Sequence, residues 1–234
     1  MPVIIFACKS NSCRSQMAEG WARNWLEKQK DEKLNAINGS NMSDHDEAKI
    51  RKQLCLLEDT IVTSVALDSS AVFERQFGEE KNDLSITNSS YKRKTIKPKA
   101  IQVMSDDGID IESYMPKTVD EVLPLLNKTS QKNNCLETFL AKNPTPISHS
   151  FIIDDDMDDE EISKSVDKLI VLCSCGDELK YKLVRRSKSV EEWTIDPPTT
   201  AAKSGEGDAA YRRVSLEIRS EVNILMSSLI QDAL

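Results

Sequence analysis

An apolar run that passes straight into a helix through small polar residues constrains this chain more than any other feature. Val3-Ile4-Ile5-Phe6-Ala7 is rich in β-branched and aromatic side chains, and Gln16 to Arg23 continues with helical character. Between them lie Cys8-Lys9-Ser10-Asn11-Ser12-Cys13-Arg14-Ser15. A strand that turns into a helix in this way points several backbone N–H groups, and the positive end of the helix, into one concave space. That space favours a tetrahedral oxyanion, lined by Lys9, Ser10, Asn11, Ser12, Cys13 and Arg14. The same amides favour a thiolate at Cys8, which becomes the candidate nucleophile. Arg14 can return over the loop and grip two oxygens with its planar fork, a geometry Lys does not reproduce. Ser15 can donate its hydroxyl to the Cys8 sulfur, before attack and again when that sulfur leaves. The plainer alternative is a buried structural Cys ahead of an ordinary capped helix.

The remaining composition narrows the class. The chain has 234 residues, a formal net charge of −8 and 30% charged residues. That balance argues against a general nucleic-acid binder. No apolar run approaches the roughly 18 residues that span a bilayer, and the first motif begins at residue 3, so a cytoplasmic protein without a leader is the expectation. Cys8, Cys13, Cys55, Cys135, Cys173 and Cys175 are read as thiols rather than as a disulfide framework. With only His45 and His149 beside them they make no good zinc site, and the metal expectation is none.

Cys8 to Trp21 resembles the C-x-G-N-S-C-R-S-Q-M-A-E-G-W signature of arsenate reductases built on the low-molecular-weight protein tyrosine phosphatase fold. The continuation Ser15-Gln16-Met17-Ala18-Glu19-Gly20-Trp21 is nearer to the reductases than to the phosphatases, which usually have Pro after the Arg-Ser pair. Ser10 departs from the pattern, which has Gly there. If that Gly serves an unusual backbone conformation, Ser10 strains the loop. The resemblance implies an α/β three-layer sandwich with a four-stranded parallel sheet, and it covers about 2–30, 60–66, 96–126 and 166–231. Insertions of about 31–58, 67–95 and 127–164 then complete a single domain over 1–234.

Within that frame a first helix is expected from about Ser12 to Lys30, with Met17, Trp21, Trp25 and Leu26 on its apolar face. A short helix is expected over Lys49 to Leu57, and a second strand over Thr60 to Ala66. Ala100, Ile101, Met104 and Ile109 read as core. The final helix spans Asp208 to Leu229, with Tyr211, Val214, Ile218, Val222 and Leu225 on one stripe. The acidic run from Asp154 to Glu161 reads as solvated. Cys55 and Cys135 fall in insertions and receive no role.

The later strand, Val166 to Leu172, delivers Cys173-Ser174-Cys175 at its carboxyl end, where open parallel sheets line their ligand crevice. The Cys-x-Cys pair resembles glutaredoxin-linked members of the fold. The resemblance implies attack of Cys8 on arsenate, then of Cys173 on the Cys8 sulfur, after which Cys175 either attacks Cys173 or passes the oxidising equivalent onward; the order of Cys173 and Cys175 in this relay stays open. Glutathione with glutaredoxin, or thioredoxin, would be the donor and partner, with no bound cofactor. Thr194-Ile195-Asp196-Pro197-Pro198 resembles the loop that supplies the general acid, Asp196. Some arsenate reductases bind potassium through a loop Asn, a helix Glu, a Ser and a downstream Asp. Asn11, Glu19 and Ser64 match the first three and the fourth falls on Lys117, so no bound potassium is expected; Lys117 is read either as an internal ammonium or as a solvated lysine at a helix cap. Two other functions stay open: a low-molecular-weight protein tyrosine phosphatase, which has no use for Cys173 and Cys175, and a non-catalytic oxyanion or redox sensor.

Overall fold

The computed structural model describes residues 1–39, 42–75, 91–128, 164–174 and 177–231. Cys135, Cys175 and the acidic run from Asp154 to Glu161 lie outside the described residues.

The apolar run forms β1, Val3–Cys8, buried along its whole length. Its alternation divides the protein into layers. Ile4, Phe6 and Cys8 belong to one hydrophobic cluster, whereas Val3, Ile5 and Ala7 belong to another on the opposite face. The first cluster is closed by α1 (Arg14–Gly39), α3 (Pro98–Asp106) and the final helix α6 (Ala209–Gln231). The second is closed by α4 (Val119–Lys128) and α5 (Asp177–Arg185). This is the expected three-layer α/β arrangement.

The sheet has four strands in the order β2-β1-β5-β6, where β2 is Ile61–Ala66, β5 is Val166–Val171 and β6 is Ser187–Glu192. Every pairing is parallel. β1 is central, with Cys8 opposite Ala66 of β2 and Ala7 opposite Val171 of β5. The carboxyl ends of the neighbouring strands therefore converge around Cys8.

Six elements differ from the sequence-based expectations or are absent from them. α1 continues to Gly39 and is followed by α2, Asp44–Asp59, so most of the first supposed insertion is a helical hairpin. Ser43 caps α2 by accepting from the Asp46 N–H, and Leu54 and Leu57 are its buried residues. The second insertion carries β3 (Phe73–Arg75) paired antiparallel with β4 (Tyr91–Arg93). Edge strand β6 and helix α5 have no counterpart in the sequence reading. The stripe of α6 is buried as expected, at Tyr211, Val214, Ile218, Val222 and Leu225. Burying each large apolar side chain contributes about 1.5–3 kcal/mol, and Trp21 adds a hydrogen bond from its indole N–H to Ser215 at 3.1 Å.

Candidate active site

The loop between β1 and α1 is fastened from outside through its carbonyls. Those of Cys8 and Lys9 accept from the N–H groups of Leu67 and Asp68 at 2.9 and 3.0 Å, and that of Ser12 accepts from Lys97, the residue preceding α3, at 2.9 Å. The Asn11 carbonyl accepts from Gln16 Nε2 at 3.1 Å. Among the described residues, no backbone N–H from Lys9 to Cys13 has a partner within the protein. With acceptors committed to the scaffold and donors left over at the start of α1, the loop is built to take an anion.

The predicted nucleophile is buried, and its sulfur lies 2.9 Å from the Ser15 hydroxyl. Asn11 Nδ2 donates to the same Ser15 oxygen at 2.9 Å. With that acceptor lone pair used, the Ser15 hydrogen is available to the sulfur. Asn11 has φ 49°, the one non-glycine residue with positive φ among the described residues. Asn tolerates this region better than most residues. Ser10 does not adopt it, so the departure from Gly imposes no backbone strain there; its hydroxyl instead lies 2.9 Å from that of Ser12.

Arg14 Nη1 donates to the carbonyl of Ile195 at 2.6 Å. This bond ties the guanidinium to the segment carrying Asp196, the next residue, which is exposed. Lys9 is exposed, and Ser12 and Cys13 are buried. Burial, with Cys8 beside it, pushes the Cys13 thiol up to about 12, so this second loop cysteine stays protonated and is no nucleophile. Cys173 follows β5 and packs against both hydrophobic clusters. It is disulfide-bonded, whereas Cys8, Cys13 and Cys55 are free, so its partner lies outside the described residues. At Cys173 the reading of the cysteines as thiols is corrected.

Gln16 is the site residue that sequence reasoning missed. Its Nε2 reaches Asn11 Oδ1 at 2.8 Å and the Met115 carbonyl at 3.0 Å, joining the loop to the segment before α4. The signal was its place directly after Ser15. Behind the loop, Glu19 is buried and accepts from Ser64 at 2.6 Å, Lys117 at 3.0 Å and Arg23 at 3.1 Å. Burial alone would push its carboxyl up, but Lys117 and Arg23, with the Ser64 hydroxyl, outweigh it and hold the carboxyl below its ordinary value. Lys117 is buried, which corrects its reading as a solvated helix-cap lysine. The potassium-type donor set does not fit a cation here. The residue in the fourth position brings its own positive charge to the carboxylate. Among the described residues, no group of three or more His, Cys, Asp or Glu is arranged for a metal ion.

The geometry is thus a cysteine at the end of a central parallel strand, a loop with free backbone donors leading into a helix, and an arginine tied to the segment that carries Asp196. No protein-family model matches the chain, and no curated protein matches it. Among solved structures, a YwlE mutant from Bacillus subtilis aligns at a TM-score of 0.50 and 12% identity, over 98% of this chain and 99% of that one. Vibrio vulnificus Wzb in complex with benzylphosphonate aligns at 0.49 and 11%, over 97% and 98%. An arsenate reductase in the phosphate-binding state aligns at 0.46 and 21%, also over 97% and 98%. The chain has the low-molecular-weight phosphatase-like α/β fold, and likeness at these identities speaks for fold alone. Among the described residues, no helix is long and apolar enough to cross a membrane.

Proposed function

We propose that the chain is an arsenate reductase in which Cys8 is the nucleophile and Cys173 the second thiol. The observation that carries this reading is the course of β5 beside β1. The Leu172 N–H donates to the Ala7 carbonyl at 2.8 Å, so Cys173 leaves one strand next to where Cys8 leaves the other. Hydrolysis of a phosphomonoester needs no such sulfur.

The chemistry runs as follows. The Cys8 thiolate attacks arsenic(V), forming a sulfur–arsenic bond while one arsenate oxygen leaves as water, its proton supplied by Asp196. Arg14 and the loop amides hold the remaining oxygens. The Cys173 thiolate then attacks the Cys8 sulfur. A disulfide forms, the sulfur–arsenic bond breaks, and its electron pair stays on arsenic, which leaves as arsenite. Cys175 next attacks Cys173 and displaces the Cys8 thiolate, leaving a Cys173–Cys175 disulfide. Glutathione with glutaredoxin, or thioredoxin, supplies two electrons to reopen it.

Steady-state arsenite formation, with each donor system supplied separately, tests the proposal. The wild type turns over with one of them, Cys8→Ser does not, and Cys173→Ser or Cys175→Ser loses turnover. If arsenite never forms while an aryl phosphate is hydrolysed by the wild type and by both later variants, the chain is a phosphatase. If it binds oxyanion and does neither, the sensor reading replaces both.

A further inference from the structure

We propose that the Lys117 ammonium is an internal cation that positions the Cys8 loop, taking the place of a free monovalent ion; the inference rests on Cys8 being the nucleophile. The Glu19 and Lys117 side chains are 1% and 7% exposed, and the ammonium lies 3.0 Å from Glu19 Oε2. A carboxylate this deeply buried requires compensating charge. Part of it comes from the partly exposed Arg23 on the other oxygen, and Ser64 donates to Oε2 at 2.6 Å.

The same residue reaches the catalytic loop through its backbone. The Lys117 N–H donates to Asn11 Oδ1 at 2.7 Å, Asn11 Nδ2 donates to Ser15 at 2.9 Å, and the Ser15 oxygen is 2.9 Å from the Cys8 sulfur. On its other side, the Lys117 carbonyl accepts from the Ala66 N–H at 2.7 Å. The side chain thus anchors residue 117 to α1 while the backbone holds Asn11 in its left-handed turn. Loss of the ammonium frees the segment to move away from Glu19. The Asn11 amide that orients Ser15 then loses the Lys117 N–H that donates to its Oδ1, and the nucleophile loses its hydroxyl donor. Lys117 touches no reacting atom, so it is a positioning residue.

The test is the rate at which iodoacetamide alkylates Cys8 in the reduced full chain, followed by mass spectrometry of the Cys8 peptide. Lys117→Ala removes the charge and opens a space; Lys117→Met removes the charge and fills it. We expect Cys8 alkylation near neutral pH to slow by about tenfold in both. Added ammonium or potassium chloride should restore Lys117→Ala but not Lys117→Met, with choline chloride at equal ionic strength restoring neither. A role in stability alone gives no such size-selective rescue. Wild-type alkylation in Lys117→Ala, or slow alkylation that small cations fail to restore in the folded variant, overturns the inference. Should Lys117→Ala not fold, Glu19→Gln/Lys117→Met removes both charges together. Slow alkylation that no cation restores then supports the proposal, and wild-type alkylation overturns it. A wild type whose Cys8 is itself inert contradicts the nucleophile reading instead.

Discussion

Cys8 and Cys13 share one loop but differ in what surrounds them. The Ser15 hydroxyl reaches Cys8, while burial holds Cys13 as a thiol with a pKa of about 12. Iodoacetamide at about pH 8 should therefore modify the Cys8 peptide and leave Cys13 unmodified, with phosphate protecting Cys8. Modification of Cys13 first would contradict this assignment. Asp196 is exposed on the segment whose Ile195 carbonyl holds Arg14, as a proton donor to a bound oxyanion needs to be. Asp196→Asn should lower turnover by about 10²–10⁴ and remove the acidic group from the pH–rate profile; an unchanged profile would exclude it as the acid. At this scale the contact of Ser15 with the Cys8 sulfur was legible, because a hydroxyl so placed in such a turn has few uses. The role of Gln16 was not, because its place in the first turn of α1, directly after Ser15, does not say which carbonyls it will reach.

Among the elements, α1 shows how one small residue sets the packing. A Cβ built on Gly20 would come within 2.7 Å of Ile111 Cγ2. That methyl is on a β-branched side chain in the core and cannot swing aside cheaply. Gly20→Ala should cost about 1–3 kcal/mol, read as a lowered denaturation midpoint at unchanged slope. On α6, Ile218 is fully buried, and Ile218→Ala should cost about 2–5 kcal/mol by the same measurement. β1 and α6 were readable because their apolar positions follow strict periods of the strand and helix. β6 was not: Ser187-Lys188-Ser189-Val190-Glu191-Glu192 lies at the sheet edge, where charged residues deter further pairing and erase the hydrophobic signal. Of α2 only a short helix over Lys49 to Leu57 was legible; its extension to Asp44–Asp59 and the continuation of α1 to Gly39 were not, since only Leu54 and Leu57 of α2 are buried and the rest reads as polar chain.

The whole molecule draws part of its stability from ion pairs that close the layers. Glu19 is held by Lys117 and Arg23, and Glu121 pairs with Arg93, joining α4 to β4. In both, burial works to raise the carboxyl, but the partner charges and hydrogen bonds prevail and hold it below its ordinary 4.5. A depressed carboxylate contributes its full stability above the unfolded value and loses it as pH falls through the folded one. Thermal stability should therefore hold down to about pH 4.5 and decline below it. Glu19→Gln/Lys117→Met should flatten that decline, whereas an unchanged acid limb would remove Glu19 from the account. The parallel three-layer arrangement was legible from one motif and its order of strands. The fastening of the loop by Leu67, Asp68 and Lys97 was not, because backbone hydrogen bonds between distant segments leave no mark on residue identity.

The most direct test of the central claim, that electrons pass from the chain's own thiols to arsenic, is a single turnover. The protein is reduced, freed of reductant, mixed with arsenate, and assayed for arsenite by arsenic speciation while its disulfides are mapped by mass spectrometry. One arsenite per chain is expected, with Cys173 recovered in a disulfide; Cys8→Ser should give none. A reduced wild type that binds arsenate and releases no arsenite, its thiols unchanged, would contradict the account.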